Sequence, residues 1–202
     1  MTEPTSDIAF TPMVKSIQTA RGSRALYARM EARGGFRTVI DADLADFLAG
    51  VDTAYLATAN ANGQPYAQHR GGPKGFIRVV DDHTIGFADF TGNRQYISTG
   101  NLAENDQAFL FLMDYARQRR IKLWGRARVV TGDAALAASL MPPGYRARAE
   151  QVILFTVSAW DANCPQHIPQ KFAAEDVAAA IASLEAQIAT LRARLPPEQA
   201  AP

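Results

Sequence analysis

The stretch Thr91-Gly92-Asn93-Arg94-Gln95 ends a run of β-forming residues on a glycine, an amide, a guanidinium and a second amide. Two other segments carry similar chemistry: Gln68-His69-Arg70-Gly71-Gly72-Pro73-Lys74 upstream, and Arg117-Gln118-Arg119-Arg120 downstream. A guanidinium suits a phosphate because its planar fork makes two charge-assisted hydrogen bonds. Glycines let backbone N–H groups approach an anion closely, and a helix start adds further donors. Any one of these arginines alone reads as solvated surface charge. Together the three segments predict that Arg70, Lys74, Arg94, Arg119 and Arg120 converge on one anion, with a helix starting near Asn93.

A second set of reactive types lies at Trp160, Asn163, Cys164, Gln166 and His167, stiffened by Pro165 and Pro169. Trp160 could stack on an aromatic ligand, and His167 could donate a hydrogen bond or proton to a substrate. This makes His167 the candidate catalytic residue; the competing reading is a rigid structural loop. Cys164 and His167 make two possible metal ligands where zinc takes four, so no metal is expected. His69 lies on a polar strand and could face a ligand or cap the core. His83, in a turn, is expected to face solvent. Trp124 reads as core or interface packing.

These residues need a scaffold. Asp41 or Asp43 can cap a short helix with Leu44, Phe47 and Leu48 on its apolar face and Gly50 at its end. From Val51 the pattern alternates. Asn62-Gly63 marks a hairpin between "VDTAYLATAN" and "QPYAQHR". "FIRVV" and "TIGFADF" make a second hairpin, and "QAFLFLMD", "RRIKLWGRARVV" and "QVILFTVSAW" read as further strands. The chain is predicted to be mainly β with flanking helices (α+β): six or seven strands, mostly antiparallel, that suggest a small barrel. A helical lead occupies residues 1–40, the barrel 41–170 and an amphipathic helix 171–202. Residues 1–12, with two prolines and no periodicity, read as mobile or draped on a partner. In the tail, Val177, Ile181, Leu184, Ile188, Leu191 and Leu195 are spaced 4, 3, 4, 3 and 4 residues apart, a heptad seam that could lie on the barrel or on a second subunit.

Composition narrows the function. The 202 residues carry a net charge of +1, which argues against nucleic-acid binding. One cysteine excludes an internal disulfide framework. No apolar run reaches the roughly 20 residues that span a bilayer, and the polar N-terminus is unlike a secretion signal. A cytoplasmic protein without membrane or nucleic-acid partners is expected.

The order of motifs resembles the pyridoxamine 5'-phosphate oxidase-like FMN-binding split barrels over roughly residues 41 to 131. "GFADFTGNRQ" is similar to that family's strand ending in Gly-Ser-Arg-Lys. "GQPY", "NLAENDQAFLFL" and "RQRRIKLWGRARVV" are similar to its first hairpin, its helix and turn, and its glycine-containing strand. The resemblance implies a six-stranded antiparallel split barrel that forms a homodimer, with FMN in clefts between the subunits. Carried over by position, Asn93, Arg94 and Gln95 fall on the phosphate-binding motif, and Gln68, His69, Arg70 and Gly71 on the strand along the flavin. Ala88 and Asp89 would flank the ring or ribityl chain, Arg120 would approach the ring, and Trp160 would lie near it. Two departures stand out. Gln95 replaces the family's second phosphate cation, and the terminal Arg-Leu-His-Asp-Arg signature of true pyridoxamine phosphate oxidases is missing. The expected activity is therefore an FMN-dependent oxidoreductase acting on another small molecule. Any nicotinamide would bind transiently, because no Gly-x-Gly-x-x-Gly fingerprint is present. A non-catalytic flavin carrier, or a barrel for haem or a deazaflavin, is the alternative.

Overall fold

The computed structural model describes residues 3–163 and 166–194. Seven antiparallel strands form one sheet: β1 (Thr53–Ala59), β2 (Pro65–Gly71), β3 (Arg78–Val79), β4 (Thr84–Phe90), β5 (Gln107–Asp114), β6 (Arg119–Val130) and β7 (Ala149–Asn163), in the order β2-β1-β5-β6-β7-β4-β3. All seven β-runs read from the sequence form, with "FIRVV" reduced to the two-residue β3, so the sheet has seven strands where the resemblance implies six. The helices are α1 (Pro12–Ala20), α2 (Arg24–Glu31), α3 (Ala42–Gly50), α4 (Ile97–Glu104), α5 (Ala134–Leu140) and α6 (Ala174–Arg192).

Alternation along the strands builds the core. Ala54, Leu56, Leu110, Leu112, Ile121, Leu123, Ile153 and Phe155 point into one cluster, closed at one end by Leu44, Phe47 and Leu48 of α3. The side chain of Asp41 caps α3, accepting the Leu44 N–H at 3.1 Å. The unbroken apolar run in β7 has its own cause. Ile153 and Phe155 face the main core, while Val152 and Leu154 pack beneath Leu140 of α5. A strand buried on both faces loses its period-two polarity.

The Asn62-Gly63 turn forms as expected, with Ala59 opposite Pro65 and Gly63 at φ 82°. Helices α1 and α2 break at Gly22 (φ 79°), which only glycine adopts freely. The lead segment departs from expectation. Instead of being mobile or draped on a partner, it is docked on its own chain. A 3-10 turn (Thr5–Ile8) anchors it, with the Thr5 hydroxyl within hydrogen-bonding reach of the Phe36 carbonyl at 2.5 Å and Ser6 fully buried. The resulting aromatic layer stacks Phe36 on Trp124, ring centroids 5.1 Å apart, so Trp124 packs on the outer sheet face under its own N-terminus.

Gly125 stands opposite a bulge in β7, where Ser158 is the extra residue between the Trp124–Ala159 and Gly125–Val157 pairs. A β-carbon there would stand 2.0 Å from the Thr156 carbonyl oxygen and 2.7 Å from the Phe155 ring. Because backbone cannot yield as a side-chain tip can, Gly125→Ala should cost about 1–3 kcal/mol. A urea-melt midpoint below that of the parent checks this; an unchanged midpoint would show that the strand relaxes freely.

Candidate functional site

Strand β3 covers only Ile85 and Gly86 of β4. Among the described residues, the edge of β4 away from β7 has no strand beside it beyond Gly86, and β2 pairs with β1 alone. Side chains close this slot. Arg70 of β2 forms an ion pair with Asp89 of β4, both side chains about 12% exposed. Arg70 also donates to the Gln68 amide oxygen at 3.1 Å, and the Ser98 hydroxyl donates to that oxygen at 3.0 Å. The Gln151 amide donates to the other Asp89 oxygen at 2.9 Å and to Thr99 Oγ1 at 2.9 Å. Three elements, β2, β4 and β7, are thus tied to the first turn of α4.

Next to this network lies a hollow of about 50 Å³ lined by Arg70, Asp89, Gly92, Asn93, Arg94 and Ser98 among others. The local backbone explains its shape. Helix α4 begins at Ile97 and not near Asn93, because Arg94 (φ 58°) and Tyr96 (φ 54°) are left-handed. These two residues interrupt a helix before it can start, and they coil the chain around an open corner. Among the described residues no side chain caps α4, and Ser98 and Thr99 of its first turn line the hollow. Arg94 is exposed, and among the described residues it has no ion-pair partner. A β-carbon on Gly92 would meet only the Phe90 carbonyl, at 3.9 Å, so the backbone there is open to a ligand.

The charges nearly balance. Arg70 is matched by Asp89, leaving Arg94 as the available cation, while Glu150 accepts the Tyr96 phenol at 2.6 Å. That hydrogen bond to Glu150 raises the Tyr96 pKa above its usual value, so the phenol stays a donor. Arg70 Nε is buried and has no partner among the described residues. A phosphate monoester fits this donor set: one free guanidinium, uncapped helix N–H groups and an unpartnered guanidinium N–H. The hollow is far smaller than a full ligand pocket, about 300–1,000 Å³, so it suits a phosphate alone and leaves the rest of a ligand to extend along the open edge.

The structure brings Gln68, Arg70, Asp89, Asn93 and Arg94 together and sets the other candidates apart. Gln95 is exposed beside the hollow without lining it, its N–H bonded to Asn93 Oδ1 at 3.3 Å. His69 is on the opposite face of β2 from Arg70, exposed and edge-on to Tyr55 at 5.7 Å. Gly71 ends that strand, where a β-carbon would press on the His69 ring at 2.8 Å. Ala88 is buried, but it pairs with Val152 on the face of β4 opposite Phe87. Trp160 is 2% exposed, with Arg37 4.6 Å over its ring and its indole N–H donated to the Val39 carbonyl at 2.8 Å, which makes it a core residue in this chain.

The expected convergence of five cations is likewise reduced. Lys74 is 3.7 Å from Asp176 of α6, Arg119 lies over Phe47 at 5.3 Å, and Arg120 sits opposite Met113 and Asn163 with Nε unpartnered. His167 is an exposed residue with φ 65°. Its loop is held to the β5–β6 turn by Gln118 donating to the Ile168 carbonyl at 2.6 Å, away from the hollow. His83 is exposed and its Nδ1 lies 3.0 Å from the Thr38 carbonyl oxygen. Cys164 falls outside the described residues. Sequence reasoning missed Tyr96, Ser98, Thr99, Glu150 and Gln151. The Ser98-Thr99 pair at a helix start was a usable signal; Glu150 and Gln151 lie far along the chain and carried none.

Among the described residues no helix is long and apolar enough to cross a membrane, and no three His, Cys, Asp or Glu side chains cluster to hold a metal. A family model described as pyridoxamine 5'-phosphate oxidase matches residues 40–164. No curated protein matches the chain. Among solved structures, HupZ from Group A Streptococcus is 20% identical with a TM-score of 0.51, covering 66% of this chain and 99% of that one. A second HupZ structure, of a variant, is 21% identical with a TM-score of 0.50, covering 61% and 99%. A putative pyridoxamine 5'-phosphate oxidase from Lactobacillus delbrueckii is 16% identical with a TM-score of 0.48, covering 62% and 95%.

The Arg70–Asp89 pair yields a direct test. Asp89→Asn leaves a mostly buried guanidinium without its counter-charge and should cost about 3 kcal/mol. Added inorganic phosphate should raise the urea midpoint of Asp89→Asn more than that of the parent. Equal midpoints for the two proteins without phosphate would show that the pair holds nothing together.

Proposed function

The chain belongs to the pyridoxamine 5'-phosphate oxidase family, and from that footing we propose that it binds FMN and acts as an FMN-dependent oxidoreductase at the seam between two copies of itself. The observation that carries this reading is the corner at residues 91–97. There a free guanidinium, an open glycine and an uncapped helix start meet beside an already neutralised Arg70. The flavin, when bound, supplies hydride and electron transfer.

The chain's own residues have defined parts. Arg94 would pair with the phosphate, which the uncapped N–H groups of α4 would also meet. Asp89 and Gln151 hold Arg70 in position and cancel its charge, so Arg70 contributes hydrogen-bond direction more than net attraction. Gln68 lies on the same face of β2 and would meet the part of the ligand that leaves the phosphate corner. His69, on the other face, would act only through a second subunit, and so would Arg120.

The substrate is a small molecule other than pyridoxamine phosphate, in keeping with the missing C-terminal signature. Exposed His167 is available to such a substrate only if the partner subunit brings the flavin to its loop. The expected setting is cytoplasmic.

Titration with FMN and with riboflavin, followed by flavin fluorescence, tests the reading. Arg94→Ala should weaken FMN binding about 10- to 100-fold, the worth of a charge-assisted hydrogen bond, and leave riboflavin binding within about twofold. Equal losses for both ligands, or none, would remove Arg94 from the phosphate.

A further inference from the structure

The tail helix α6 is exposed along its whole length, with no buried residue. Val177, Ile181, Leu184, Ile188 and Leu191 are 44–61% exposed. The barrel therefore does not cover this stripe. A 19-residue helix with five large apolar residues in water gains nothing from packing, and isolated helices of that size are only marginally stable.

The residue types along the stripe say what covers it. In a heptad frame Ile181 and Ile188 occupy a, and Val177, Leu184 and Leu191 occupy d. β-branched residues at a with leucine at d favour two parallel strands. The flanking charges agree. In an antiparallel pair that keeps every apolar layer in register, Glu185 would stand beside its own counterpart. In a parallel pair Glu185 faces Ala180 and Arg192 faces Gln187, so no like charges meet.

We propose that α6 pairs with α6 of a second copy of this chain as a parallel two-stranded coiled coil. The pairing uses a surface separate from the hollow at Arg94 and does not rest on flavin binding. The Lys74–Asp176 contact, 3.7 Å, is the one ion pair among the described residues that joins α6 to the barrel; both side chains are more than half exposed, so it guides the helix start without burying the stripe.

The test uses the full chain with its single cysteine removed (Cys164→Ser) and one new cysteine at a time. Residues in d positions of a parallel pair face each other, and Cα atoms within about 7 Å can be bridged by a disulfide. Mild oxidation should cross-link Leu184→Cys and Leu191→Cys to covalent dimers, while Ala186→Cys, on the outer face, should stay monomeric on a non-reducing gel. Adding Ile181→Glu and Ile188→Glu should abolish the cross-link at Leu184→Cys. Because these side chains are about half exposed and outside the core clusters of the barrel, far-UV circular dichroism of the β-rich body should be preserved in each variant. No cross-link at Leu184→Cys, or equal cross-linking at Leu184→Cys and Ala186→Cys, would overturn the parallel pair. Either outcome leaves the FMN titration unaffected, so the two proposals fail separately.

Discussion

A sheet that curls toward a barrel without completing its hydrogen-bond ladder must close the remaining slot some other way, and here the Arg70–Asp89 ion pair closes it. Pairing by backbone would have sealed the edge and left no room for a ligand. Pairing by side chains holds β2 against β4 at one point and leaves peptide groups and the corner at residues 91–97 accessible. The cost is a charge pair removed from water. It is offset by a network in which each Asp89 oxygen has a partner and Arg70 has two acceptors. The same network reaches Ser98 and Thr99 and so fixes where α4 begins.

The position of α4 then determines the chemistry of the corner. Left-handed Arg94 and Tyr96 delay the helix by several residues relative to a start at Asn93. That delay separates Arg94 from the helix it precedes, so the guanidinium and the uncapped N–H groups can address one anion from two directions. Below the corner, Asn101 donates to Thr58 at 3.0 Å in a buried contact and Leu102 enters the core. The mobile-looking sequence "TGNRQYIS" is thereby mounted on a rigid base.

Much of this was readable from residue types. The Asn62-Gly63 hairpin, the Asp41 cap and the β-runs all have strong local causes, and they form where the sequence places them. The antiparallel barrel with a helical tail follows from their order. Arg70 and Arg94 could be nominated because glycine and amide neighbours accompany both. Other features depend on contacts between distant positions. Gln151 is 62 residues from Asp89, its partner, and nothing local distinguishes it from a surface glutamine. Trp160 looks like a ligand platform until the segment at Arg37–Val39 folds over it. Helix α5 was missed because seven residues of alanine, leucine and serine leave too short a period to read. The docking of the N-terminal lead is hard to read because its anchors, the Thr5 hydroxyl and the contacts of Phe10 with Tyr27 and Phe36, have no periodic signature.

The central claim is that the corner formed by Arg94 and the start of α4 receives a phosphate ester. A crystal structure of the full chain with FMN is the most direct measurement. The account predicts phosphate density between the Arg94 guanidinium and the N–H groups of Ile97 to Thr99, with the Arg70–Asp89 pair intact behind it. Phosphate density elsewhere on the molecule, with Arg94 still turned to solvent, would contradict it.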